Sequence, residues 1–426
     1  MPTPSAAAMT PVRNLPRGLW QPWRLCAALL LALALPSAGR AQFPPAGPIT
    51  VAGGRLTISG EAAVSISPED KAYFNYSTAA YNLLRLVRFD GSAALRVSSR
   101  LFLLGDVRVL GAIGDGGWTV DPYALFARIR PWPEKFLDVQ VGLVPPVFGA
   151  FSRRGYGADT PLIGFPLAYQ YVTSLRPDAL PATADDLLLK RGRGWRVRYP
   201  VGNPAADHGV PLMEGLRYPV GVEVHGGSEK FEAAAAVTTG SLAVPDGSVG
   251  GSSQVSGRLA VRPFVGLVLG GSASRGVFLE RSLTDALQTT GQSGVNDQRA
   301  VGFDAEYSRG YWLLRAEGIF SSWRVPPVAA PYIDAPLHAF GLDVEGRYRI
   351  LPGLSAAVRV GRLGFNQVSG STGSFGWEAV VWRVEAGGSY ALRRNVLVKA
   401  VYQYNWRDTP YMHTAGLASA QLLVWF

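Results

Sequence analysis

The chain repeats one unit, a segment of about ten residues in which apolar and polar side chains alternate, followed by either a tight turn or a longer polar connection. Alternation with a period of two is typical of a β-strand with two different faces. No segment beyond residue 41 approaches the run of about 18 apolar residues that a membrane-spanning helix needs. Sixteen segments fit the unit: 55–65, 89–98, 101–111, 120–130, 136–144, 218–226, 230–240, 253–262, 264–274, 300–308, 311–321, 337–350, 353–365, 377–391, 395–406 and 416–426.

The connections between these segments alternate in length, as in a closed ring of hairpins. Tight turns such as 98–100 and 309–310 alternate with longer connections such as 66–88 and 145–217. Short turns are typical of one rim of a membrane barrel and long loops of the other. We therefore predict an all-β fold, a transmembrane antiparallel β-barrel of 16 strands. The segment 195–199 also has strand character, and 18 strands is the alternative.

The first 41 residues have the composition of a secretory signal peptide. Arg13, Arg17 and Arg24 lie before or just at the start of an eleven-residue apolar run, 25–35, and small residues up to Ala41 supply a cleavage site. The run is too short to cross a bilayer as a helix, which requires about 20 residues. We predict that residues 1–41 are removed on secretion.

Removal of this leader takes four arginines and no acid, so the formal charge falls from +10 to +6. It also removes the one cysteine, Cys26, and leaves a chain that can form neither a disulfide nor a thiolate site. The remaining bases are dispersed along strands, with one cluster near 190–198, and this pattern does not indicate a nucleic-acid surface. The predicted organisation is a periplasmic leader, 42–54, followed by a barrel, 55–426.

The segment 415–426, AGLASAQLLVWF, is apolar on one face and mixed on the other, and it ends on Phe426. A strand of this kind has unpaired backbone groups unless another strand receives it, and the first strand of a closed barrel is the natural receiver. The segment resembles the terminal strand of bacterial outer-membrane β-barrels. That resemblance implies that Phe426 belongs to a signal read by the barrel assembly machinery.

The polar face of each strand carries most of the charge. A charged side chain at the lipid midplane costs roughly 2–4 kcal/mol, so these residues are predicted to face the lumen. They either pair across neighbouring strands or include arginines that favour anions. The predicted pore-lining residues are Arg96, Arg108, Arg128, Arg130, Arg258, Arg262, Arg315, Arg347, Arg359, Arg383, Lys399, Asp304, Glu306, Glu317, Asp343, Glu345 and Glu385.

The connection 145–217 is the predicted functional element, because an ordered loop of this length is usually functional. It contains many aromatic residues, an excess of bases, and Thr183 placed to cap a short helix. Folded into the lumen, it would form an anion-attracting constriction; the alternative is an extracellular cap whose arginines contact lipopolysaccharide phosphates or acids of the loop itself. The candidate constriction residues are Arg153, Arg154, Arg176, Asp185 and Asp186.

Sixteen strands, a long loop after the fifth and a terminal aromatic together resemble general and phosphate-selective porins of Gram-negative outer membranes. The stretch 142–149, GLVPPVFG, is similar to a strand end in the phosphate-selective branch. Lysines are dispersed, which departs from a phosphate-binding pattern. The resemblance implies an outer-membrane location, contact with lipid and lipopolysaccharide, passive diffusion of small solutes or ions, and a homotrimer.

Two other functions compete with this interpretation. An outer-membrane enzyme would need a catalytic group, but His208, His225, His338 and His413 have no flanking catalytic motif. A structural or adhesive barrel would use the long loop as a contact surface. The sequence predicts no enzymatic activity, no cofactor and no metal, since the loop aspartates lack calcium-ligand spacing.

Overall fold

Sixteen antiparallel strands form one closed ring in the computed structural model, which describes residues 47–77, 81–113, 117–155, 157–245, 253–289, 296–410 and 412–426. Each strand pairs with its sequence neighbours, and β1 pairs with both β2 and β16. The strands are β1 (Leu56–Ile66), β2 (Leu86–Arg96), β3 (Leu101–Ala112), β4 (Trp118–Ile129), β5 (Leu137–Leu143), β6 (Val220–Gly227), β7 (Phe231–Thr239), β8 (Ser253–Val261), β9 (Leu267–Val277), β10 (Asp297–Arg309), β11 (Trp312–Trp323), β12 (Leu337–Leu351), β13 (Leu354–Phe365), β14 (Val381–Arg393), β15 (Val396–Arg407) and β16 (Thr414–Trp425).

The predicted fold class is confirmed, since every one of the sixteen predicted segments overlaps one strand of the ring. The segment 195–199 lies within the long connection between β5 and β6, so the alternative of eighteen strands is wrong. Part of the predicted leader is also ordered as a strand: Ile49–Val51 pairs with the first residues of β1. Residues 1–46, which include the predicted signal peptide, lie outside the described residues.

The ring closes through the last residue of the chain. The amide of Phe426 donates to the carbonyl oxygen of Gly60 at 3.0 Å, and the amide of Gly60 donates to the carbonyl oxygen of Phe426 at 3.2 Å. A side chain at position 60 would collide with the Phe426 ring, which lies 2.9 Å from the site of a β-carbon there. Glycine at this position therefore allows the terminal aromatic to lie against β1.

The two ends of the barrel differ. At the short-turn end, hairpins are joined by connections such as 97–100, 310–311 and 352–353, and Gly310 and Gly353 adopt the positive φ angles (59° and 84°) that tight turns require. At the long-loop end, the connections run to the 76 residues between β5 and β6, 144–219. This arrangement matches the predicted alternation of connection lengths.

Side chains alternate between an exposed outer face and a buried inner face along each strand. On β12, Val344 and Tyr348 are exposed, whereas Asp343 and Glu345 are buried. Exposed aromatic residues such as Trp312 lie near strand ends, where interfacial aromatics are typical. Trp323 and Trp377, by contrast, are fully buried and pack edge-to-face at 5.8 Å.

The largest apolar cluster lies at the long-loop end, where the connection 144–219 packs against its neighbours. Within the described residues, three α-helices occur in connections: α1 (Leu167–Gln170), α2 (Ala184–Leu188) and α3 (Arg281–Thr289). None of the helices in the described ranges is long and apolar enough to cross a membrane.

Candidate functional site

The connection between β5 and β6 has two parts that are held in different ways. Residues 149–167, here called the inner segment, contact charged side chains on the inward faces of the barrel strands. Residues 168–217, here called the outer segment, contribute most of their apolar side chains to the large cluster at the long-loop end. The long loop is therefore folded into the lumen through its inner segment.

The inner segment crosses the lumen at residues 154–155. The Arg154 guanidinium lies 2.6 Å from Glu306 on β10, whereas the carbonyl oxygen of Gly155 accepts hydrogen bonds from Arg88 on β2 (3.1 Å) and Arg108 on β3 (3.3 Å). In a ring of sixteen strands, β2 and β10 are eight strands apart. Two consecutive residues thus contact opposite walls, and the chain divides the interior at this level.

Lys399 on β15 holds the next turn of the inner segment. Its ammonium group donates to the carbonyl oxygens of Gly157 at 2.7 Å and Thr160 at 2.6 Å, and to that of Leu162 at 3.2 Å. The side chain is fully buried. Lys399 therefore satisfies backbone acceptors that would otherwise be buried without donors.

Arg359 on β13 and Glu385 on β14 form a buried ion pair at 2.7 Å beneath the inner segment. Glu385 accepts from the amide of Gly164 at 2.9 Å, and Arg359 donates to the carbonyl oxygen of the same residue. Arg383 donates to the carbonyl oxygen of Phe165 at 3.0 Å. Backbone amides and carbonyl oxygens of the inner segment are thus both bonded to charged side chains of the wall.

Glu317 and Asp343 hold the two ends of the inner segment. Glu317 on β11 accepts from the amide of Ala150 at 2.7 Å and from the hydroxyl of Tyr169 at 2.9 Å. Asp343 on β12 accepts a long bond from the amide of Leu167, at 3.4 Å.

These findings change the interpretation of several predicted pore-lining residues. The side chains are on the inward face, but the inner segment covers and buries them. They therefore anchor the loop and do not line an open lumen. This set comprises Arg108, Arg359, Arg383, Lys399, Asp343 and Glu385.

A second cluster of this kind contains the predicted residue Arg108 and two residues, Arg88 and Asp90, that the sequence interpretation missed. Arg88 on β2 forms ion pairs with Glu61 and with Asp90, at 2.8 Å for the latter, and Asp90 also pairs with Arg108. The Arg108 guanidinium lies 3.5 Å from the centre of the Tyr123 ring. Arg88 and Asp90 have the same strand parity as Arg96, and that parity was the signal that could have identified them.

The wall that the inner segment leaves uncovered borders a chamber of about 460 Å³. Strands β1 to β6 contribute polar side chains to it, and Arg153 contributes from the loop. Arg128 on β4 lies 4.0 Å from Asp138 on β5, and His225 contacts Glu223 on β6. The charges here pair with one another along or between strands and not with loop backbone.

The predicted constriction arginines Arg153 and Arg154 are at this boundary, and both are paired. Arg153 lies 2.7 Å from Glu232, and Arg154 lies 2.6 Å from Glu306. Burial and the adjacent Arg315 guanidinium lower the pKa of Arg154 below its ordinary value. The acids of the wall therefore offset the charge of both arginines.

The remaining predicted wall residues fall into pairs and unpaired groups. Arg258 pairs with Asp304 (2.6 Å), Arg262 with Glu232 (2.9 Å), and Arg315 with Glu306 (3.0 Å) and Glu345 (3.4 Å). The others, for which the structure records no ion pair in the described ranges, are Arg96, Arg130 and Arg347.

The other three candidate constriction residues are not in the lumen. Arg176 is buried in the outer segment and pairs with Asp178 at 2.6 Å. Asp186 completes a capping box with Thr183 at the start of α2, and Asp185 accepts from the amide of Ser371 in the connection after β13 at 2.8 Å. All three stabilise loop structure at the long-loop end: Arg176 donates to the backbone carbonyl oxygens of Val197 and Ala205, whereas Asp185 and Asp186 accept from backbone amides.

Two carboxyl groups with shifted pKa values bond to the outer segment: Asp178 within it, and Glu378 in the connection between β13 and β14. Burial raises the pKa of Glu378, which accepts from the amides of Ser174 and Ala379 at 2.7 Å each and from that of Gly192. Burial alone would raise the pKa of Asp178, but hydrogen bonds from Arg176 and Asn203 outweigh it and hold that pKa below its ordinary value. Within the described ranges, no group of three or more histidine, cysteine or acidic residues is placed to hold a metal ion.

Solved structures of outer-membrane proteins share this architecture. The chain is similar to Salmonella typhi OmpF in complex with daunomycin, with a TM-score of 0.54 and 13% identity over 89% of this chain and 100% of that one. It is similar to an anion-selective porin from Comamonas acidovorans, with a TM-score of 0.51 and 10% identity over 87% and 99%. The fold is that of an outer-membrane porin.

A third structure with this porin-like fold is a loop L8 deletion mutant of OmpT, an outer membrane protein of Vibrio cholerae, with a TM-score of 0.50 and 11% identity over 87% of this chain and 99% of that one. At these identities the similarity concerns the fold alone. No family model matches the sequence, and no match was found among curated proteins.

Proposed function

We propose that the protein is a porin of the bacterial outer membrane through which small hydrophilic solutes or ions diffuse passively. One observation carries the proposal: a closed ring of sixteen strands contains a loop that narrows the lumen and leaves beside it a chamber of about 460 Å³ into which charged side chains such as Arg128, Arg153 and Glu223 project. A charged interior and an apolar exterior favour a water-filled conduit through lipid. The loop would then set the aperture.

The proposal includes a preference for anions, supported by the excess of three bases over acids (nine against six) in the segment 145–217 and by the wall arginines that have no ion pair in the described ranges. It also includes the partners expected from the sequence: outer-membrane lipid and lipopolysaccharide, the barrel assembly machinery acting on Phe426, and two further copies of the chain in a homotrimer. Sedimentation of the detergent-solubilised protein would test the trimer. Neither an enzymatic activity nor nucleic-acid binding is part of the proposal.

The direct test is the conductance of the refolded chain, without residues 1–41, in planar lipid bilayers. We expect stepwise openings of uniform size that persist at low voltage. A variant in which residues 149–167 are replaced by a short glycine-serine linker should conduct more per opening, because the segment that crosses the lumen is gone. If neither protein conducts although circular dichroism verifies its β-structure, the result would contradict the porin proposal and favour a structural or adhesive barrel.

A further inference from the structure

Four arginines lie on the inward face of the barrel at its short-turn end. Arg96 is the last residue of β2, and Arg130 directly follows β4. Arg347 and Arg349 lie in the last five residues of β12. Strand parity gives their inward direction. Arg96 lies on the same face of β2 as buried Arg88 and Asp90, and Arg347 and Arg349 lie on the same face of β12 as buried Asp343 and Glu345.

These arginines differ from the loop arginines in having no acidic partner. Over the residues that the structure describes, no carboxylate oxygen lies within 4.0 Å of any of the four guanidinium groups. The Arg130 guanidinium instead lies 5.3 Å from the centre of the Phe102 ring, which leaves its charge uncompensated. By contrast, Arg153 and Arg154 are each paired at 2.7 Å or less.

The four charges also face one another. Strands β4 and β12 are eight apart in the ring, so Arg130 and the β12 arginines lie on opposite walls, with Arg96 two strands from Arg130. Like charges on opposing walls add their potentials in the space between them, and low-dielectric walls focus the field into that space. Screening acts over about 8 Å at physiological ionic strength, so charges near the mouth affect an ion that passes it.

We propose that Arg96, Arg130, Arg347 and Arg349 form an electropositive mouth at the short-turn end of the barrel and determine its preference for small anions. This inference rests on the proposed porin function. It places charge selection at the short-turn end of the barrel and not at the inner segment of the long loop, whose arginines Arg153 and Arg154 are balanced by Glu232 and Glu306. Inorganic chloride is the simplest anion that such a mouth would favour, since no shaped binding site is required.

The test compares two quadruple variants with the same change in net charge. The first neutralises the mouth: R96Q, R130Q, R347Q and R349Q. The control neutralises four arginines in or at the tips of the tight turns at the same end: R100Q, R309Q, R393Q and R394Q. Reversal potentials are measured in bilayers across a tenfold gradient of potassium chloride.

We expect the wild type to favour chloride over potassium. In the mouth variant, the ratio of chloride to potassium permeability should fall roughly two- to fivefold, because a local potential of one to several kT is removed. The control should change it less than about half as much. The pairs R96Q/R130Q and R347Q/R349Q, measured separately, should each cause part of the shift, which keeps the test available if the quadruple variant does not refold.

An unchanged ratio in a conducting mouth variant, or equal shifts in the mouth variant and the control, would overturn the inference while leaving the porin function intact. A wild type that does not conduct at all would instead overturn the proposed function, and this inference with it. The two failures are therefore distinguishable.

Discussion

The two walls of the lumen have the same strand pattern but use their charges differently. On the wall covered by the inner segment, Lys399, Arg359 and Glu385 are fully buried and bond to loop backbone. On the uncovered wall, Arg128 and Asp138 remain partly exposed and contact each other, and Asp138 also accepts from the side-chain amide of Gln140 at 3.2 Å, but neither bonds to loop backbone in the described ranges. A charged residue on an inward face is thus a structural anchor where a loop covers it and a candidate for solute contact where none does.

The difference has an energetic basis. A buried charge is tolerated only when its partners are complete, and removal of one partner leaves an uncompensated group in a low-dielectric interior. An exposed pair contributes little, since water replaces a lost partner. Matched substitutions on the two walls should therefore have very different effects on stability.

The largest expected effect is at Arg359. Substitution Arg359→Met leaves Glu385 buried without its ion-pair partner and removes one of the two arginines that contact Glu345, and it should lower the free energy of unfolding by about 3–5 kcal/mol. The comparison substitution Arg262→Met, at the partly exposed end of β8 where Glu232 keeps Arg153 as a partner, should cost about 0–1 kcal/mol. Urea unfolding in detergent, followed by tryptophan fluorescence, measures both. Equal costs would show that coverage by the loop does not determine the role of a wall charge.

The next effect is at Lys399. Substitution Lys399→Met removes the donor of three loop carbonyl oxygens but also removes a buried charge, so the net cost should be smaller, about 1–3 kcal/mol. The inner segment should also become more sensitive to trypsin at Arg153 and Arg154. Lys135→Met, in an exposed turn, is the control and should change neither quantity. A variant with wild-type protease resistance would contradict the proposed anchoring role.

A third prediction concerns Glu378, which anchors the outer segment. Unlike Glu385 beneath the inner segment, it accepts from backbone amides without an arginine or lysine partner in the described part of the chain. Glu378→Ala leaves the amides of Ser174, Gly192 and Ala379 without an acceptor and should cost about 1–3 kcal/mol, whereas Glu378→Gln should cost less because it retains an acceptor.

The pH dependence of the free energy of unfolding tests the role of Glu378 independently. Its pKa is raised in the folded protein, so its favourable contribution is complete below the ordinary pKa of about 4.3 and is lost as the pH rises through the folded pKa. Glu378→Gln should remove that dependence from unfolding measurements between pH 4 and pH 8. Identical pH profiles of unfolding for wild type and Glu378→Gln would contradict this contribution of Glu378.

The smallest effect is expected at Asp178, whose pKa is lowered. Its contribution is complete above the ordinary pKa of about 3.9 and is lost as the pH falls through the lower, folded value. We expect cleavage of the outer segment by pepsin to increase below pH 4 in the wild type and to be high already at pH 4 in Asp178→Asn. The inner segment should not respond in the same way, so the cut sites identified by mass spectrometry decide between the two segments.

The strands were predictable because their signal is local. Alternation over about ten residues identifies a strand and its inward face without reference to any other part of the chain. The capped helix α2 was predictable for the same reason, since Thr183 and Asp186 are three residues apart.

The path of the loop was not predictable in this way. Whether Arg359 faces water or the carbonyl oxygen of Gly164 depends on a contact between residues 195 positions apart, and no local pattern encodes it. The same applies to Arg176, whose buried position follows from its bonds to Asp178 and to the carbonyl oxygen of Val197 in the outer segment. Residue type and parity identify inward charges, but only the fold distinguishes anchors from lining.

The placement of the inner segment has a consequence for the order of assembly. The segment lies between the fifth and sixth strands in the chain, but its contacts with Glu385 and Lys399 join residues 221 and 242 positions apart. Contacts of such long sequence separation form slowly, after the intervening strands have paired. We expect the cylinder to close around a loop that is not yet in place, so that each new molecule passes through a wide, leaky stage before its aperture reaches its final size.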